Sequence, residues 1–139
     1  MSPAPVAESG APRHQQRERA LSLLYEAELK GLTPTEVLEG LPVTPDDYVV
    51  TLLHAATVTR ERADHLIEAA SVGWPLDRMA VLDRLVLRLA VAELLQDNGP
   101  PRAVVIDEAV ELAKTYSTDE SGSFVNGILS TVADQVEVR

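Results

Sequence analysis

The sequence predicts an all-α fold, a compact bundle of about seven helices, and three observations carry that prediction. Apolar residues recur at helical spacing almost from end to end. Helix start and stop signals punctuate the chain at short intervals. No stretch alternates apolar and polar residues as a half-buried strand does. A length of 139 residues suits one domain that buries roughly two-thirds of the surface its unfolded form exposes. A 45% hydrophobic fraction is too high for an intrinsically disordered chain.

The elements follow in order. Residues 1–12 carry three prolines, with neither a basic n-region nor an apolar h-region, so they read as a disordered tail and not as a secretory signal. The helical domain is placed at 13–139. From Arg13 to Lys30, Ala20, Leu24 and Ala27 line one face, flanked by Leu21 and Leu23, and Gly31 is a stop signal. Thr33-Pro34-Thr35-Glu36 starts a short second helix with a capping box and proline at the first helical position. Thr44-Pro45-Asp46-Asp47 repeats that signal for a third helix through Leu52, Leu53 and Ala56. The β-branched Thr57-Val58-Thr59 stretch predicts a break or kink there, before an amphipathic helix from Arg60 to Ala70 with Ala63, Leu66 and Ile67 inward.

Gly73-Trp74-Pro75 punctuates the chain again. In Val81 to Leu95 large apolar residues point almost all round the axis, the mark of a central, buried helix. After the Asn98-Gly99-Pro100-Pro101 loop, Ala103 to Tyr116 puts Val105, Ile106, Ala109, Leu112 and Ala113 on one face. A last helix places Phe124, Val125, Ile128, Leu129, Val132 and Val136 together.

Composition narrows the function classes. Without cysteine there is no disulfide framework, no thiolate zinc site and no thiol nucleophile. No apolar run approaches the roughly 20 residues a membrane span needs, so a cytoplasmic protein is expected. A net charge of −10 argues against a broad basic footprint for nucleic acid, although not against a small local one.

Catalytic constellations are absent. His14, His54 and His65 have no metal-binding spacing, and His54 and His65 share a face only if one helix runs unbroken between them. Asp107, Glu108 and Glu111 cluster on one helix, but no second acidic motif or glycine-rich loop supports them, and early helical turns favour acids on dipole grounds alone. No phosphate loop, dinucleotide fingerprint or nucleophile elbow is present. No enzyme, metal or cofactor is expected. Arg84 and Arg88, one turn apart on the central helix, need carboxylate partners if buried, with Glu108 and Glu111 as candidates. Gly127 inside the last helix points to a close helix crossing, with the approach of a partner as the alternative.

Arg13, His14, Arg17 and Arg19 stand out because arginines at a helix N-terminus oppose the macrodipole. Arg13 and Arg17 continue the line of Ala20 and Leu24, so they are expected to emerge together at the mouth of the bundle. His14 and Tyr25 fall on a neighbouring side of the wheel. Paired guanidinium forks suit phosphate; a frayed helix start with incidental arginines is the alternative, and composition alone leaves the two even.

Four blocks resemble the NusB family of transcription antitermination factors. Arg13-His14-Gln15-Gln16-Arg17-Glu18-Arg19-Ala20 with Leu23 to Leu29 is similar to the family's first helix. Leu82 to Leu89 with Glu93-Leu94-Leu95 resembles its central helix, Val104 to Lys114 its next motif, and Ser121 to Leu129 its final phenylalanine-valine-asparagine-glycine motif. The resemblance implies a seven-helix fold of two small sub-bundles. It also implies binding of boxA-type single-stranded RNA in ribosomal RNA operons, together with the ribosomal protein NusE, in an RNA polymerase antitermination complex. On this resemblance the RNA contacts map to Arg13, His14, Arg17, Phe124 and Asn126, with Arg102 and Tyr25 at or near further contact positions. Glu93 and Glu120 fall where the family meets NusE or supports that face.

The sequence also departs from the family. Gln15 and Gln16 interrupt the arginine run, Gly122 and Ser123 replace a common histidine-lysine pair, Arg102-Ala103 replaces a tyrosine-lysine pair, and Asp107 stands where asparagine is common. Each lost phosphate contact weakens binding and flattens its salt dependence, so modest affinity for RNA alone is expected. Stacking aromatics are few beyond Tyr25 and Phe124. The competing expectation is a helical protein–protein module, a homodimer included, with weakened RNA binding. A methyltransferase-fused relative is not expected, since 139 residues leave no room for a methyltransferase domain and carry no cofactor-binding glycine loop.

Overall fold

The computed structural model describes residues 11–136, and among them the secondary structure is helical with no strand. The elements are α1 (Arg13–Lys30), α2 (Pro34–Glu39), α3 (Asp47–Ala70), α4 (Val81–Leu94), α5 (Arg102–Tyr116) and α6 (Ser121–Gln135). A single 3₁₀ turn, Leu76–Arg78, precedes α4. The chain divides into two compact units, the first ending at Thr57 and the second beginning at Val58, so α3 starts in one and ends in the other. The tail expected over 1–12 lies outside the described residues except for Ala11 and Pro12.

In the first unit, α1 buries Ala20, Leu21, Leu23, Leu24 and Ala27. It stops at Gly31, which sits at φ 67° and gives its N–H to the carbonyls of Ala27 and Glu28; a side chain would strain that left-handed turn. The capping box of α2 is formed as predicted: Glu36 N–H donates to Thr33 Oγ1 (3.1 Å), and Thr33 N–H to Glu36 Oε1 (2.8 Å). This short helix packs on α1, with Val37 buried. α3 starts later than its Thr44-Pro45 signal suggests. Asp46 takes the cap position, its carbonyl accepting from Val50 N–H at 3.2 Å, and Pro45 is buried just before it.

The break expected near Thr57 does not occur, so the described residues form six α-helices where about seven were expected. A β-branched residue costs at most about 0.7 kcal/mol of helix propensity. Each buried large aliphatic contributes about 1.5–3 kcal/mol, and α3 buries Leu52, Leu53 and Ile67 along with Ala56 and Ala63. The Thr57 hydroxyl is absorbed within the helix, donating to the Leu53 carbonyl at 2.9 Å.

In the second unit the chain leaves α3 through Val72 (φ 46°) and Gly73 (φ 80°), two left-handed residues in succession. Ser71 Oγ donates to the Trp74 carbonyl (2.7 Å) and to that of Glu68 (3.1 Å), clasping the turn and leaving Trp74 half-exposed. Leu76 and Met79 are buried beyond it. α4 is buried on every side from Leu85 to Leu94 and packs against both α5 and α6, which also pack on each other. The buried face of α5 is the predicted one: Val105, Ile106, Ala109, Leu112 and Ala113. On α6, Val125, Ile128, Leu129 and Val132 are buried, whereas Phe124 and Val136 are only half-buried.

Two packing expectations change. Asp64 holds Arg88, through Nε–Oδ1 at 2.8 Å and Nη2–Oδ2 at 3.1 Å, a carboxylate to which the sequence does not point. Arg84 donates from Nη1 to the Leu76 carbonyl of the 3₁₀ turn at 3.2 Å. Gly127 marks no helix crossing: it is exposed, and a Cβ there would meet nothing within 4 Å. The close approach is at Gly122, where a Cβ would come within 2.9 Å of Lys114 Cγ.

Candidate nucleic-acid interface

α1 begins at Pro12 without a side-chain cap and without an acid in its first turn. Its first amides therefore keep their partial positive charge, and Arg13 adds a full one. The Arg13 side chain is exposed and lies over the Tyr48 ring, with Cζ 3.8 Å from the ring centroid. Tyr48 belongs to the first turn of α3. Nη1 of Arg13 donates to Gln16 Oε1, and Gln16 Nε2 donates to Asp46 Oδ2 at 2.9 Å. Gln16 is buried, so the residue that interrupts the basic run is a structural bridge.

Arg17 does not emerge beside Arg13: it is 3% exposed, with Cζ 5.9 Å from the Tyr48 centroid. The face that carries Ala20 and Leu24 stays buried one turn further toward the N-terminus than the run of apolar residues indicates, because Gln16 and Arg17 bury polar side chains that find partners. His14 is exposed, with Nε2 3.6 Å from Glu18 Oε2. Tyr25 is exposed on the same side of α1, three turns on. Sequence reasoning missed Tyr48 and Asp46; the available signal was an aromatic in the first turn of an acid-capped helix, in a chain with few aromatics.

The second unit carries the remaining candidates. Arg102 opens α5 and is tied down to α6, with Nη2 2.8 Å from Asp134 Oδ1 and 3.5 Å from the Ser130 carbonyl. α5 and α6 flank a cleft of about 580 Å³ lined by Asp107, Glu111, Lys114, Asp119, Ser123 and Asn126. Asp107 and Glu111 are exposed on its wall, the solvated charge run expected of them, and Glu108 is half-buried. The stem of Lys114 lies on Gly122, so a cation lines the cleft with Ser123 and Asn126 even though the histidine-lysine pair is absent. Phe124 is half-buried and Asn126 exposed.

Glu93, expected at or behind a partner face, is 1% exposed and therefore can only support one. Glu120 is exposed immediately before α6. His54 and His65 do share the unbroken α3, but eleven residues at 1.5 Å each set them about 16 Å apart, too far for one metal ion. Among the described residues no helix is long and apolar enough to cross a membrane.

A family model described as the NusB family matches residues 14–134. The transcription antitermination protein NusB of Saccharopolyspora erythraea is 47% identical over 128 residues, which cover 87% of this chain and 86% of that protein. Among solved structures, NusB of T. maritima superimposes with a TM-score of 0.81 at 36% identity, covering 90% of this chain and 92% of that one. A complex of the antitermination factors NusB and NusE with double-stranded RNA matches with a TM-score of 0.72 at 31% identity, over 88% of this chain and 96% of that one. Two helical units, an arginine-led first helix and these matches over nearly the whole described length lead to one conclusion: the chain belongs to the NusB family.

Proposed function

We propose that this protein is a transcription antitermination factor that binds boxA-type RNA of ribosomal RNA operons together with NusE, and so promotes read-through by RNA polymerase. The observation that carries the reading is the uncapped, basic start of α1, where Arg13 is presented to solvent on Tyr48. The function is binding, and no bond-making step is assigned to any residue. In this reading Arg13, His14 and Tyr25 touch RNA from the first unit, and Arg102, Phe124 and Asn126 from the second. Arg17 acts from beneath, holding the start of α1. Glu120 faces the protein partner, and Glu93 supports that face from the interior. The site of action is the cytoplasm, where bacterial RNA polymerase works.

The test is titration of boxA-type and scrambled RNA, with and without NusE, at two salt concentrations. We expect weak preference for boxA alone, stronger binding with NusE, and a loss of affinity in Arg13→Ala. Equal affinity for the two RNAs under both conditions overturns the reading. The net charge of −10 and the acidic cleft wall of Asp107, Glu111 and Asp119 favour a second reading, a protein–protein module with weakened RNA binding. Partner binding that survives while Arg13→Ala leaves RNA affinity unchanged would select it.

A further inference from the structure

We propose that Arg13 serves as a stacking platform for an unpaired RNA base, with Tyr48 as the positioning residue beneath it. The proposal rests on the RNA-binding reading above and assigns the mode of contact at its first helix.

The geometry carries it. At 3.8 Å from the ring centroid, Cζ of Arg13 is at the separation of planar groups in van der Waals contact, so one face of the guanidinium is spent on Tyr48. The edge is held as well, because Nη1 donates to Gln16 Oε1. Gln16 has only one orientation that satisfies both neighbours: a guanidinium can only donate and a carboxylate can only accept, so Oε1 must face Arg13 and Nε2 must face Asp46. Asp46 thereby fixes the amide, the amide fixes one edge, and Tyr48 fixes the plane. Gln16 is buried and Tyr48 half-buried, while Arg13 itself is exposed.

A guanidinium so held is a flat, pre-positioned surface on an exposed residue. Single-stranded RNA is recognised by stacking its bases on aromatic rings or on arginine planes. The chain has one Phe, one Trp and three Tyr, so a ring that carries an arginine outward extends a small supply of platforms. A phosphate contact needs only positive charge at this point. A platform needs the plane, and lysine has none.

That difference sets the experiment. The full-length protein is titrated with single-stranded boxA-type RNA carrying 2-aminopurine at successive positions, over a salt series. We expect wild type to change the fluorescence at one position through stacking. Arg13→Lys is expected to abolish that change and lower affinity by about five- to a hundredfold, while the slope of log affinity against log salt stays the same because the charge is kept. Tyr48→Phe retains both signals. Tyr48→Leu behaves like Arg13→Lys, and circular dichroism checks that the helices persist. Arg13→Lys that binds and reports like wild type overturns the platform and leaves the RNA-binding reading standing. A wild type that distinguishes boxA-type from scrambled RNA neither alone nor with NusE overturns the underlying reading and the platform with it.

Discussion

Arg88 reaches Asp64 with two N–H···O bonds at 2.8 and 3.1 Å, and its side chain is only 10% exposed against 23% for its partner. Removing the guanidinium leaves a carboxylate that water reaches only in part, with Arg60 Nε, 4.0 Å from Oδ2, too distant for a hydrogen bond. We therefore expect Arg88→Ala to cost about 3 kcal/mol, the lower end of the range for a broken buried pair. Arg88→Met with Asp64→Leu should recover much of it. Urea unfolding of the singles and the double, combined as a cycle, checks both values. Ser123 is exposed beside Lys114 in the α5–α6 cleft. Ser123→Lys is expected to raise RNA affinity and steepen the salt slope by about 0.7, the increment for one phosphate contact on a single strand. Gly122→His, by contrast, must first displace Lys114. The residue scale is where sequence was least legible. Gln16 reads as a lost charge and Arg17 as an exposed one, because burial of a polar side chain depends on partners 24 or more positions away. Asp64 went unnoticed for the same reason.

At the scale of elements, the two glycines that bound the argument point in opposite directions. Gly127 is exposed in mid-helix with open space around a would-be Cβ, so Gly127→Ala should stabilise the protein by about 0.5–1 kcal/mol. Gly31 sits at φ 67°, where a Cβ costs about 1–2 kcal/mol, so Gly31→Ala should destabilise by about that amount. Thermal unfolding monitored at 222 nm separates the two signs. The glycine that ends α1 is legible because a stop signal is local. The one inside α6 is not, since whether a neighbour crosses there depends on tertiary packing. The same distinction runs through the fold. The capping box of α2, the all-round burial of α4 and the buried stripe of α5 are local or periodic properties, and the sequence predicts them correctly. The continuity of α3 is a competition between weak propensity and strong burial, and only the second term needs the fold to evaluate.

For the whole molecule, charge decides more about company than about shape. Twelve basic against 22 acidic residues make a basic ribosomal partner easy to attract and a free RNA hard to hold. We expect the association rate with NusE to fall by about tenfold or more as salt is raised from low to physiological concentration, with the dissociation rate changing far less. Stopped-flow mixing over a salt series measures both. The family itself was legible in the sequence, from four blocks in the right order, and the candidate contacts inherited from it lie on both units. What those blocks do not encode is the support beneath Arg13, since Tyr48 and Asp46 lie outside them.

The clasped turn after α3 gives the protein a built-in lamp. Trp74 is its one tryptophan, half-exposed, with its carbonyl held by Ser71. Light absorbed at 295 nm is therefore emitted from a single place in the second unit. Tyr25 and Tyr48, in the first unit, are not excited at that wavelength. Since the indole already meets water in the folded state, its emission starts partly red-shifted, and unfolding adds only a small further shift. A melt followed by this signal tracks the second unit alone, and its midpoint set beside that of the total helix signal reports whether the two units come apart together or in turn.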